Sequence, residues 1–185
     1  MRFLKKVYYY LHSLIEMTVH FKNWLTIWPI FLIENPSKQR DVRLRQPPVL
    51  MKVRGRMDVW SVKEIFLDEF YARHGAEIED GWTILDIGAG IGDFSIYAAY
   101  GHPQAVVYAL EPFTDSYQLL IKNLTLNAVD NVVAFQRALW GRSGTLALDT
   151  SCRDPLQIIS QGIEEAKEIS GMDTVQAFSL EDLVD

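Results

Sequence analysis

Ile84-Leu85-Asp86-Ile87-Gly88-Ala89-Gly90-Ile91-Gly92-Asp93 is the stretch that decides the fold. It reads as a short apolar strand, a glycine turn without side-chain bulk, and a helix start. Such a turn lets the backbone approach a bound nucleoside cofactor closely. The glycines stand at 88, 90 and 92, in the pattern G-x-G-x-G, with Asp86 two residues ahead of the first. The dinucleotide fingerprint G-x-G-x-x-G would put its third glycine at position 93, which here is Asp93. A carboxylate at that helix start opposes a pyrophosphate, because an anion site needs donors there. The turn therefore favours a cofactor with a cationic end over one with a diphosphate, and it disfavours a dinucleotide oxidoreductase.

Outward from the turn, the pattern alternates strand and helix. Thr83 to Ile87 is predicted as a strand, Asp93 to Tyr100 as a short helix, and Ala105 to Leu110 as a buried parallel strand with a continuous apolar run. Phe113 to Asn127 follows as an amphipathic helix and Asn131 to Phe135 as a third strand. This is half of a doubly wound α/β sheet, with expected strand order 3-2-1. The second strand ends in Glu111-Pro112, about 20 residues after the turn, where an acid accepts hydrogen bonds from ribose hydroxyls. Asp86 either shapes the turn or faces a cationic cofactor end, and Asp93 either caps its helix or approaches that same end.

Upstream, Val49 to Arg56 alternates as a strand, and Ser61 with Glu64 forms a capping box opening a helix. Val62, Ile65, Phe66 and Phe70 give that helix its apolar face, and Gly75 its stop. Lys63 and Glu64 lie on the helix that precedes the first strand, where a cofactor pocket would be bordered, but the capping role already accounts for Glu64. Downstream, Arg137 to Asp149 is predicted as a hairpin about Gly141-Arg142-Ser143-Gly144. Residues 150–172 give no clear pattern, Thr174 to Phe178 a strand, and Ser179-Leu180-Glu181-Asp182 a helix start. The chain stops at Asp185, so the expected fold is incomplete at its C-terminus, and its first strand has one neighbour and an open edge suited to a partner chain.

The 185 residues divide into an apolar helical extension with linker, 1–47, and a domain portion, 48–185. Within 7–33 the apolar run is broken by His12, Glu16, His20, Lys22 and Asn23, a poor match to a spanning helix. A helix packed on the domain or on a partner is predicted. Trp24, Trp28 and Lys22 keep open a peripheral membrane contact through 7–33. A net charge of -6 lacks the basic footprint of nucleic-acid binding, so none is expected. Cys152 is the only cysteine, which rules out an internal disulfide and fits a reducing, cytoplasmic compartment, membrane-associated if that peripheral contact forms. The four histidines are scattered, and no Cys/His cluster has metal-ligand spacing. His102 reads as a surface residue. Asn123-Leu124-Thr125 matches a glycosylation acceptor but falls inside a predicted helix.

ILDIGAGIGDFS followed by VYALEP resembles the first two motifs of class I S-adenosylmethionine-dependent methyltransferases. RGRMDVWSVKEIFLDEFY, ALEPFTDSYQLLIKNLTLN, NVVAFQRALWGRSGTLAL and TVQAFSLEDLV are similar to the run of the FkbM-type family. The resemblance covers about 53 to 185. It implies a Rossmann-like fold, S-adenosylmethionine as methyl donor, and a hydroxyl acceptor on a sugar, lipid or natural product. It implies a cofactor site of Asp86, Gly88, Ala89, Gly90, Gly92, Asp93, Glu111, Pro112 and Ala138, with the glycines along the methionine moiety and Glu111 on the ribose. Arg137 stands where many such enzymes place an Asp against the adenine amino group, a hydrogen bond an arginine cannot accept. The family's next strand, with its acidic motif, is not in these residues, and no general base is evident. The competing reading, from another class, is a non-catalytic binding or assembly module.

Overall fold

A computed structural model describes residues 2–32, 38–148 and 173–184; the unclear stretch 150–172, with Cys152, lies outside them. Two helices, α1 (Arg2–His20) and α2 (Trp24–Leu32), lead into an antiparallel ribbon of β1 (Arg40–Arg43) and β2 (Leu50–Val53). β1 falls in the stretch predicted as a linker. Its sequence, Arg-Asp-Val-Arg, hides the strand because only Val42 turns fully inward, opposite Met51. Asparagine side chains hold both outer edges of the ribbon. Asn23 accepts from the Arg43 amide (2.9 Å) and donates to the Asp41 carbonyl (2.7 Å). Asn123 and Asn127 do the same along β2, as a third strand would.

The helix α3 spans Arg56–Phe66, a turn and a half earlier than the capping box predicts. Asp58 anchors its start instead, accepting from the Arg54 amide at 2.7 Å and from the Arg54 guanidinium at 3.0 and 3.1 Å. Ser61 and Glu64 are thereby left inside the helix with other partners. The predicted run to Gly75 is also broken. Asp68 folds back so that both its oxygens accept from Lys63 Nζ (2.6 and 2.7 Å), Glu69 turns left-handed (φ 48°), and Phe70 begins a separate short helix, α4 (Phe70–Arg73), half exposed. Lys63 itself is fully buried, with Glu16 of α1 at 3.4 Å and the Tyr9 ring at 4.7 Å. Burial alone would lower the Lys63 pKa, but the Asp68 carboxylate outweighs it and holds the ammonium form.

The central sheet follows the predicted order. β3 (Thr83–Ile87), β4 (Val106–Leu110) and β5 (Val132–Phe135) are parallel and lie in the order β3-β4-β5, joined by α5 (Asp93–Gly101) and α6 (Thr114–Leu126). Alternation sends Val107 and Ala109 onto these helices, where both are fully buried. The opposite face, with Val106, Tyr108 and Val133, is partly exposed, and β3 pairs with β4 alone among the described residues.

The predicted hairpin does not form. β6 (Ala138–Leu139) and β7 (Gly144–Leu148) do not pair with each other. β8 (Asp173–Phe178) lies between them, parallel to β6 and antiparallel to β7. Val175 and Ala177 of β8 alternate inward with Leu146 and Leu148, a packing that local turn chemistry does not reveal. A last helix, α7 (Leu180–Val184), opens with Ser179, whose hydroxyl accepts from the Asp182 amide (3.1 Å).

Met17, Ile27 and Ile30 of the N-terminal helices, and Phe21 between them, share one buried cluster with β1, β2, α3, α5 and α6. The predicted packing of this helical segment on the domain is thus present. Among the described residues, no helix is long and apolar enough to cross a membrane.

Candidate cofactor site

The glycine turn is built from left-handed backbone at Gly88, Gly90 and Gly92 (φ 76, 55 and 84°), a conformation costly for other residues. Four of its amides are spent inside the protein. Those of Gly88 and Ala89 donate to the Leu110 carbonyl (2.8 and 3.0 Å), that of Gly90 to Glu111 Oε2 (2.7 Å), and that of Gly92 to the Ala89 carbonyl (2.8 Å). A phosphate cradle needs such amides aimed at the ligand. Here they brace the turn instead.

Glu111 is the other half of that brace. It is buried, and while Oε2 takes the Gly90 amide, Oε1 accepts from the Phe113 amide at 2.9 Å. Burial pushes its carboxyl above the ordinary range, against the pull of both amides and of the Arg54 guanidinium. Each carboxylate oxygen keeps a second acceptor site, as a pair of ribose hydroxyls requires.

A cleft of about 650 Å3 opens beside this brace. Of the residues expected at the site, Gly88, Ala89, Gly90, Asp93, Glu111, Pro112 and Ala138 line it; Asp86 and Gly92 do not. Asp86 is turned toward α5, where its Oδ2 accepts from the Ser95 hydroxyl at 2.6 Å. This bond ties the end of β3 to α5. Gly92 serves packing, since a Cβ there would lie 2.4 Å from Leu120 Cδ1 of α6. Gly92→Ala is expected to cost ~2–5 kcal/mol, from the left-handed backbone and the overlap together. Urea unfolding would measure it, and a loss under ~1 kcal/mol would contradict this packing role.

Asp93 does not cap α5, whose N-cap is Gly92. It is buried at the cleft wall, and its Oδ2 accepts from the Ser61 hydroxyl at 2.5 Å. Burial first, with the nearby Asp86 charge adding to it, raises its pKa to about 6 against the opposing Ser61 bond. Because the folded value lies above the unfolded one, the native state binds more protons between about pH 4 and pH 6. Stability owed to Asp93 therefore falls as pH rises through that window and stays lower above it. Asp93→Asn is expected to gain on the parent across that range, by on the order of 3 kcal/mol once the carboxyl is ionised. Parallel stability curves from pH 4 to 8 would refute the assignment.

The far wall comes from α3 and was not foreseen in full. Met57, Trp60, Ser61 and Glu64 face the cleft, with Arg54 at its end. Their three- and four-residue spacing on the face opposite Val59, Val62 and Phe66 was the available signal. Trp60 donates its indole N–H to Glu64 Oε1 (2.9 Å), and Arg54 donates to Ser116 (2.9 Å). Glu64 borders the cleft rather than capping α3, whereas Lys63 is buried behind α3. Arg137 lines the cleft near Ala138, its guanidinium 5.5 Å from the Phe178 ring. His102 is half-buried at the end of α5, its Nδ1 3.0 Å from the Ala98 carbonyl, away from the cleft.

The residues present fit a nucleoside cofactor with a cationic amino-acid end. Four turn amides are bonded within the protein, the buried Glu111 stands at the end of β4, and the buried Asp93 stands beside the turn.

Residues 54–139 match the family described as the TRM5/TYW2 methyltransferase domain. Methyltransferase sdnD of Sordaria araneosa is 42% identical over 87 residues, 46% of this chain and 33% of that protein. The 31-O-demethyl-FK506 methyltransferase FkbM of Streptomyces tacrolimicus is 39% identical over 67 residues, 36% of this chain and 26% of that protein. The chain thus spans about a third or less of the length of these curated relatives. Among solved structures, M. jannaschii TYW2 in complex with AdoMet is similar at 25% identity and a TM-score of 0.39, covering 53% of this chain and 43% of that one. The parallel sheet with its glycine turn is thus a Rossmann-like α/β unit, and residues 54–139 of it are similar to methyltransferase domains.

Proposed function

We propose that this chain forms the cofactor-holding part of an FkbM-type O-methyltransferase acting on a small-molecule hydroxyl, on a sugar, lipid or natural product. The single observation that carries the reading is the Gly90–Glu111–Phe113 brace, which presents a buried carboxylate to the cleft beside a turn with four amides already satisfied. The relative named for 31-O-demethyl-FK506 and the residue run described above support the choice of a hydroxyl acceptor. In this reading residues 48–185 carry the cofactor and 1–47 form an extension packed against them.

S-adenosylmethionine supplies an electrophilic methyl group on a sulfonium centre. Gly88 and Gly90 give its backbone-close seat, Glu111 accepts from the ribose hydroxyls, and Pro112 and Ala138 border the adenine. Asp93, held by Ser61, offers a carboxylate to the ammonium end, while α3 closes the site from water on the far side. Transfer to a hydroxyl needs alignment of oxygen, methyl and sulfur and a base for the leaving proton, and no residue is assigned to that proton.

Calorimetric titration with S-adenosylhomocysteine and with NAD tests the cofactor. The homocysteine analogue is expected to bind and NAD to fail; the reverse would sink the reading. The edge of β3 that is unpaired among the described residues favours a second possibility, an assembly module completed by a partner chain along that edge. Methyl transfer by this chain alone would eliminate that alternative.

A further inference from the structure

We infer that α1 docks on the surface of an anionic lipid bilayer, with its outward face in the headgroup region. The inference is independent of the methyl-transfer reading.

The helix has two apolar faces. One is spent on the core through Met17 and the Lys63–Glu16 contact, with Ser13 buried beside them. The other carries Tyr8, Leu11, Ile15 and Val19, spaced three and four residues apart and therefore aligned. These four side chains are 70%, 56%, 64% and 57% exposed. A surface helix ordinarily turns polar residues outward. A contiguous apolar stripe in that position marks an interaction site.

Charge selects the partner. Residues 1–45 hold eight Lys and Arg against three Asp and Glu, a net +5, whereas residues 46–185 hold ten against 21, a net -11. Such asymmetry in an acidic protein points to an anionic surface. Basic positions precede and follow the stripe along the chain. Arg2, Lys5 and Lys6 belong to the first turns of α1. At the other end Lys22 is exposed just past the helix, and Arg45 donates from Nε to the Val19 carbonyl at 2.9 Å, beside the last residue of the stripe. The one acid of α1, Glu16, points inward to Lys63. An apolar stripe between cations suits a helix lying in a headgroup layer, held by area and by attraction to anionic lipid. A nucleic acid would use the cations and leave the aliphatic stripe unburied.

The test is co-sedimentation of the full chain with phosphatidylcholine vesicles containing roughly one-third phosphatidylglycerol, an anionic surface. At low salt the chain is expected to pellet with the vesicles. Binding should weaken with pure phosphatidylcholine and in about 1 M salt, where charges are screened within ~3 Å. The Leu11→Glu/Ile15→Glu variant changes two exposed residues outside the cleft, so its circular dichroism melt should match the parent. Its partition coefficient should fall ~100-fold, about tenfold for each apolar side chain lost from the interface. A chain that stays in the supernatant at low salt overturns the inference. So does a double variant that melts like the parent yet binds equally well. Displacement of the vesicles by an equal charge of single-stranded oligonucleotide would also overturn it, by assigning the cations to nucleic acid.

Discussion

Glu111→Ala is expected to weaken S-adenosylhomocysteine binding by at least ~100-fold, with the chain still folded. The carboxylate is buried and receives two backbone amides, from Gly90 at 2.7 Å and Phe113 at 2.9 Å. Removing it leaves two buried donors unpaired, at ~1–3 kcal/mol each. The ligand would lose its ribose acceptors and meet a turn no longer braced from below. Two hydrogen bonds from the ribose to a charged acceptor, at ~1.5–3 kcal/mol each, suffice for the stated effect, since ~1.4 kcal/mol is a factor of ten. Glu111→Gln separates the roles. An amide has one acceptor oxygen, so it can keep the Gly90 or the Phe113 amide and must turn its NH2 against the other. Glutamine should therefore approach alanine in severity despite its shape. Calorimetry decides: either variant binding within threefold of the parent would show that Glu111 supports the fold but not the cofactor.

The same residue shows what was legible in the sequence and what was not. The interval from the glycine turn to the acid at the end of the second strand is a local property of one strand-helix-strand unit. Sheet order and the turn side of the cleft follow from that unit and were readable; the brace was not, because which amides Glu111 receives depends on the folded turn. Asp93 was readable only as an alternative between cap and cleft, because the deciding contact comes from Ser61, 32 residues earlier. Ser61 had itself been read as a cap, since the motif for a capping box does not show that Asp58 starts the helix first. Asp68 folding back on buried Lys63 ended the helix where apolar periodicity continued to Phe70. β6 and β7 failed as a hairpin because β8, beyond residue 172, takes the place between them. In each case the local signal was sound, and a residue distant in sequence supplied the stronger partner.

Asn123 is the most consequential of these distant partners, and its loss is expected to destabilise the chain by ~3–5 kcal/mol. The residue sits on α6, fully buried, in a glycosylation-like Asn-Leu-Thr sequence that no glycosylating enzyme can reach in the folded protein. Its Oδ1 accepts from the Lys52 amide at 2.7 Å, and its Nδ2 donates to the carbonyls of Lys52 (3.1 Å) and Ile91 (2.9 Å). One amide thus ties the ribbon edge, α6 and the glycine turn together. Asn123→Ala leaves three backbone groups without partners and opens a small void, and each orphan costs ~1–3 kcal/mol unless water enters. In a chain of this size ~1 kcal/mol moves the melting temperature by about 2–4 °C, so a fall of roughly 10 °C is expected. Asn127→Ala is the control. It makes the matching pair of bonds to Leu50 but is half-buried, so water can replace its amide and the loss should be at most about half. Equal melting shifts for the two variants would mean that the ribbon, not the link to Ile91, sets the cost. A larger shift for Asn123, with weaker S-adenosylhomocysteine binding, would show that the hairpin of residues 40–53 supports the cofactor turn through this one side chain.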